Sequence, residues 1–76
     1  MYNYYVIVGV LEEIFKDGYI KVREHKSNSS FLMKLDDNLE RPNEDLIGQL
    51  ISTSGELKMT NLIELVCKRY IFTSGA

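Results

Sequence analysis

The chain is short of most residues that small proteins use as covalent or metal props. Cys67 is the single cysteine among 76 residues, so no intrachain disulfide and no cysteine-rich zinc site is possible. There is no tryptophan, one histidine (His25) and one proline (Pro42). The glycines at 9, 18, 48, 55 and 75 are isolated, and no phosphate-cradling loop is written anywhere in the chain. The longest apolar run, Val6 to Leu11, is far too short for a membrane-spanning helix. The opening residues, Met1-Tyr2-Asn3-Tyr4-Tyr5, lack the basic stretch of a secretory signal. A soluble, cytoplasmic protein with no membrane, metal or cofactor is the expectation.

The same scarcity argues against catalysis. His25 and Cys67 fall in different predicted strands with no implied partner for a nucleophile and base pair. The acid pairs Glu12-Glu13 and Asp36-Asp37 are adjacent, and strand alternation is expected to send adjacent side chains to opposite faces. Both pairs read as solvated surface, and the chain is not expected to be an enzyme.

What the chain does have is enough apolar content, 45%, for one small core. Its length suits one domain over residues 1–76, with 72–76 as a short tail. The net charge of −2 is unevenly spread. Lys16, Lys21, Arg23, Lys26 and Lys34 give residues 16–34 a surplus of positive charge over Asp17 and Glu24. Residues 35–57 carry Asp36, Asp37, Glu40, Glu44, Asp45 and Glu56 against Arg41 alone. One basic and one acidic region are therefore expected.

Periodicity assigns strands rather than helices. Residues 4–14 are rich in β-branched and aromatic side chains, with Gly9 marking a bend or a close backbone approach. Asp17-Gly18 between two such runs predicts a hairpin. From Tyr19 to Glu24 the pattern alternates, Ile20 and Val22 one way, Tyr19, Lys21 and Arg23 the other. Ser27-Asn28-Ser29-Ser30 is a loop, and Phe31 to Leu35 a third strand with Leu32 and Lys34 on its outer face. One helical turn at most is expected near Pro42. A fourth strand is predicted from Leu46 to Ser52, a turn at Ser54-Gly55, and a last strand from Leu57 to Phe72. In that last strand Ile63, Leu65, Cys67 and Ile71 are expected to share the inner face, although a helix over 61–72 also fits the spacing. Five strands with a glycine bend and little or no helix predict an all-β barrel, since closure removes exposed edges.

Three segments resemble one family. Val6-Ile7-Val8-Gly9-Val10-Leu11 looks like the opening strand of bacterial single-stranded DNA-binding proteins. Ile47-Gly48-Gln49-Leu50-Ile51 is similar to their fourth strand, and residues 63–72 to their closing strand. The related primosomal replication protein N belongs to the same resemblance. It implies a five-stranded OB fold, sequence-tolerant binding of single-stranded DNA in replication, repair or a mobile element, and a homodimer or homotetramer built through the first strand. Residues 36–45 are too few for the family's helix before its fourth strand, and no long acidic tail follows, so a divergent short member is expected.

Single-stranded DNA needs cations for its phosphates and flat rings for its bases. Tyr19, Lys21 and Arg23 supply both on one strand face, continued by His25, Lys26, Lys34 and Lys58. The same stripe is also what a solvated strand face looks like. Tyr2, Tyr4 and Tyr5, with Val6 and Val8, are expected at an oligomer interface, because such a group is costly to leave in water. Tyr70 and Phe72 could cover a barrel end or stack on bases. Cys67 reads as an inert core thiol. Replication proteins are further expected partners. The alternative is an OB-like module that docks a basic partner through residues 36–45 and Glu56 without touching DNA. An Sm-like RNA-binding barrel, suggested by Gly48-Gln49-Leu50 and Asn61-Leu62, fits less well because that fold continues with further strands.

Overall fold

The computed structural model describes residues 3–59 and 61–73. It contains five strands, β1 (Tyr4–Ile14), β2 (Tyr19–Glu24), β3 (Ser30–Leu35), β4 (Leu50–Met59) and β5 (Ile63–Phe72), and one 3₁₀ turn over Glu44–Leu46. The strands close into a barrel in the order β1-β2-β3-β5-β4, with β4 returning to β1. All pairings are antiparallel except β3 with β5, where Met33, Lys34 and Leu35 face Leu65, Val66 and Cys67. The fold is an all-β, five-stranded barrel with OB-type strand order. No helix among the described residues is long and apolar enough to cross a membrane.

Alternation builds the core. Leu11, Ile20, Val22, Met33, Ile51 and Cys67 point inward from all five strands and have no exposed surface. Burying a Val, Leu, Ile or Met side chain contributes about 1.5–3 kcal/mol, and five of these six are of that kind. The one fully buried polar side chain among the described residues, Thr53, donates its hydroxyl to the Ile7 carbonyl at 2.8 Å, tying β4 to β1 inside the barrel. Tyr5 also turns inward, and its phenol donates to Met33 Sδ at 3.4 Å.

Closure of so small a barrel forces two strand crossings into very close approach. A methyl group on Gly9 would lie 1.9 Å from the Arg23 carbonyl oxygen. One on Gly55 would lie 1.9 Å from that of Val66. Neither position admits a side chain.

Gly55 therefore marks a bulge and not the expected turn. β4 runs through Ser54-Gly55 to Met59, its register against β5 shifts there, and the chain reverses between Met59 and Ile63. The fourth strand begins at Leu50 instead of Leu46, because residues 47–49 complete the turn after Glu44–Leu46: Ile47 and Gln49 donate to Glu44 and Leu46, and Gly48 donates to Leu11. The same bulge changes the phase of β5. Cys67 points inward, but Ile71 is 62% exposed while Tyr70 and Phe72 pack against the core. An extra residue opposite a partner strand inverts every side chain beyond it. The expected tail loses Phe72 to β5, and residues 74–76 lie outside the described part.

Candidate nucleic-acid interface

The strand β2 holds Tyr19, Lys21 and Arg23 on the outer wall, as alternation requires when Ile20 and Val22 fill the core. Across β3 their Cα partners are Lys34, Leu32 and Ser30. His25 and Lys26 are exposed in the loop that leaves the far end of β2. Lys58 comes from the β4–β5 hairpin and lines a small cleft of about 130 Å³ together with Lys34, Lys68, Asp36, Asp37 and Glu64. The barrel thus places six of the seven expected DNA-contacting residues along one β2–β3 wall and its end loop, and joins Lys58 to that wall only through this mixed-charge cleft.

A second bulge sets the electrostatics of the wall. The β1 register against β2 shifts between Leu11 and Glu13. Glu12 and Glu13, expected on opposite faces, both reach the outer side as a result. Lys21 Nζ lies 3.8 Å from Glu13 Oε1, and Arg23 Nη1 lies 3.8 Å from Glu12 Oε2. Ser30 Oγ donates to Glu12 as well, at 2.5 Å. Exposed pairs of this kind are worth only about 0–1 kcal/mol, so a phosphate can displace the carboxylates. They nevertheless set a carboxylate beside each of the two cations of the stripe.

Tyr19 donates its hydroxyl to Glu64 Oε1 of β5 at 3.3 Å, and it lines one depression with Leu32 and residues 61–65 of the β4–β5 hairpin. Sequence reasoning missed the apolar neighbours gathered there. Leu32, Leu62 and Ile63 are 54%, 79% and 71% exposed. Strand alternation had placed Leu32 outward; only the packing of the hairpin beside β3 brings the other two next to it.

The expected oligomer face is divided by the same alternation. Tyr4, Val6 and Val8 project outward, with Leu50 and Ile71 also exposed on the neighbouring strands. Tyr5 is a correction: it belongs to the barrel's own core, and burial pushes its phenol well above the ordinary range. Tyr2 lies outside the described residues. Cys67 is buried, and the same desolvation raises its thiol despite a hydrogen bond to the Arg69 carbonyl. Tyr70 donates to the Glu40 carbonyl and meets Phe72 edge to face at 5.7 Å, so this pair closes the barrel end beneath residues 36–46. No group of three or more potential metal ligands converges among the described residues.

Comparison with protein-family models, curated proteins and solved structures gives no match. The class rests on the barrel itself.

Proposed function

We propose that this barrel binds single-stranded DNA without sequence preference and without catalysis, in replication, repair or a mobile element. The observation that carries the reading is the Tyr19-Lys21-Arg23 row, three side chains projecting from one strand on the outer wall of an OB-ordered barrel. A ring and two cations at two-residue spacing suit a base and its neighbouring phosphates. His25 and Lys26 prolong the track, and Lys34 broadens it. Labelled oligo-dT of about 30 nucleotides, titrated by anisotropy at low and moderate salt, tests this: binding weakens steeply with salt and falls in Lys21→Ala and Arg23→Ala. No binding at low salt by the folded protein would sink the reading.

A homodimer belongs to the same proposal. β1 pairs with β2 only from Gly9 onward, so the stretch around Val6 has β4 on one side and no strand on the other among the described residues. Beside that edge lie the exposed Tyr4, Val6 and Val8. Val6→Lys is expected to shift sedimentation toward the monomer.

A second reading draws on the acidic region. Its single cation, Arg41, is turned to the Phe15 carbonyl at 2.9 Å, while Asp37, Glu40, Glu44, Asp45 and Glu56 remain exposed. That surface suits a basic protein partner, and it is the reading left standing if oligo-dT does not bind.

A further inference from the structure

The wall that carries the cationic row ends in a groove of different chemistry. Two adjoining depressions, of about 350 and 440 Å³, have Tyr19 and Leu32 in both linings. Phe15 closes one end; Leu62, Ile63 and Leu65 form the other. Among the described residues its charged lining groups are two carboxylates, Asp17 and Glu64. No lysine is among its described lining residues: Lys21 is drawn toward Glu13, while Lys34 and Lys58, the Cα partner of Glu64, line the neighbouring cleft beside Asp36 that Glu64 also borders.

This combination is wrong for a nucleic-acid strand. Phosphates would meet the carboxylates of Asp17 and Glu64 with no cation in the described lining, whatever stacking Phe15 and Tyr19 offer a base. It is right for a peptide. Aliphatic side chains fill a trough lined mainly by aliphatic and aromatic groups, and a Lys or Arg beside them finds a carboxylate at either end.

We propose that this groove docks a partner-protein segment bearing two or three aliphatic residues flanked by lysine or arginine. Leu32, Leu62 and Ile63 supply the apolar contact, with Asp17 and Glu64 selecting the basic flanks. Glu64 is the more fixed of the two because Tyr19 holds its carboxylate. The exposure of Leu32, Leu62 and Ile63 is otherwise unexplained on a barrel whose remaining β2 and β3 outer positions are polar. The groove shares Tyr19 with the DNA reading but none of its cations, so variants at Leu32 and Glu64 test it separately.

The test uses a fluorescein-labelled peptide, Lys-Lys-Leu-Ile-Leu-Lys-Lys, with two controls: serines replacing its aliphatics, and glutamates replacing its lysines. Anisotropy should show binding of the first and neither control. Leu32→Ser, and separately Glu64→Gln, which keeps an acceptor for Tyr19, should each weaken binding by about tenfold. Amide shift mapping on the wild-type protein should place the perturbations at Tyr19, Leu32, Leu62 and Ile63. Equal binding of the lysine-to-glutamate peptide, or shifts confined to residues 36–45, would overturn the proposal. So would perturbation of the groove amides by oligo-dT but not by the peptide, which would assign the groove to nucleic acid. Oligo-dT binding mapped to Lys21, Arg23 and Lys26 leaves the groove proposal intact, so the two readings fail separately.

Discussion

Arg23 Nη1 lies 3.8 Å from Glu12 Oε2, and this contact exists only because a bulge in β1 turns Glu12 and Glu13 to the same side of the barrel. The row of cations that suggests nucleic acid is therefore partly neutralised by its neighbouring strand. Replacing both carboxylates, Glu12→Gln with Glu13→Gln, should raise the affinity for oligo-dT and steepen its salt dependence. Lys21→Ala should do the reverse, flattening the plot of log affinity against log salt by about 0.7 for the lost phosphate contact.

Gly9 is fixed by the distance between two backbones. In Gly9→Ala the new methyl meets the Arg23 carbonyl oxygen at 1.9 Å, and no flexible side chain is present to yield. The β1–β2 ladder must open. A loss of about 3 kcal/mol is expected, at the upper end for overpacking, read from the urea midpoint. Gly55→Ala, which meets the Val66 carbonyl oxygen in the same way, should behave alike.

Lys68 and Asp36 join β5 to the start of the acidic loop at 3.0 Å. The hydrogen bond from Lys68 holds the Asp36 carboxyl below its usual 3.8, and the same bond raises the Lys68 ammonium above its usual 10.5. The depressed carboxyl stabilises the fold above its unfolded-state pKa, and that contribution disappears as pH falls through the folded value. The raised ammonium stabilises below its unfolded-state pKa, and that contribution disappears as pH rises through the folded value. Lys68→Met should thus lower Tm at neutral pH and leave a shallower fall of Tm on acidification below about pH 4.

Tyr70 fastens residues 36–46 across the barrel end through its hydroxyl on the Glu40 carbonyl. Tyr70→Phe keeps the ring packing with Phe72 and removes that bond, at a cost of about 1 kcal/mol. Faster hydrogen exchange is expected at the Leu39 amide, which bonds Asp36 within the same loop, and unchanged exchange in β2.

Cys67 has no exposed surface, and burial raises its thiol. A thiol reagent at pH 8 should leave the folded protein unmodified and react fully in urea, so that modification reports unfolding. Rapid labelling of the native protein would show the β4–β5 wall to open far more readily than its packing implies.

The first three strands were legible in the residues. Ile20-Lys21-Val22-Arg23 alternates so regularly that only one face can enter a core, Phe31, Met33 and Leu35 mark the inner face of the third strand, and the Asp-Gly pair at 17–18 fixes the hairpin between β1 and β2. The second half was less legible. Ser54-Gly55 has the composition of a turn, yet its glycine is there because β5 passes too close for a side chain. Tyr4 and Tyr5 looked like one aromatic group, although a strand has to send them to opposite sides.

The sequence by itself determined the class: β-branched alternation with almost no helical stretch, and a core drawn from every strand. Tertiary structure decided which charges and apolar groups meet. Two bulges, one at Leu11–Glu13 and one at Ser54–Gly55, turn acids toward the cationic row and exchange Ile71 for Tyr70 and Phe72 in the core. Parallel pairing of β3 with β5 carries Ile63 and Leu62 alongside Leu32. Alternation is a local rule with a period of two residues, and it cannot register the single extra residue that closure of a five-stranded barrel demands.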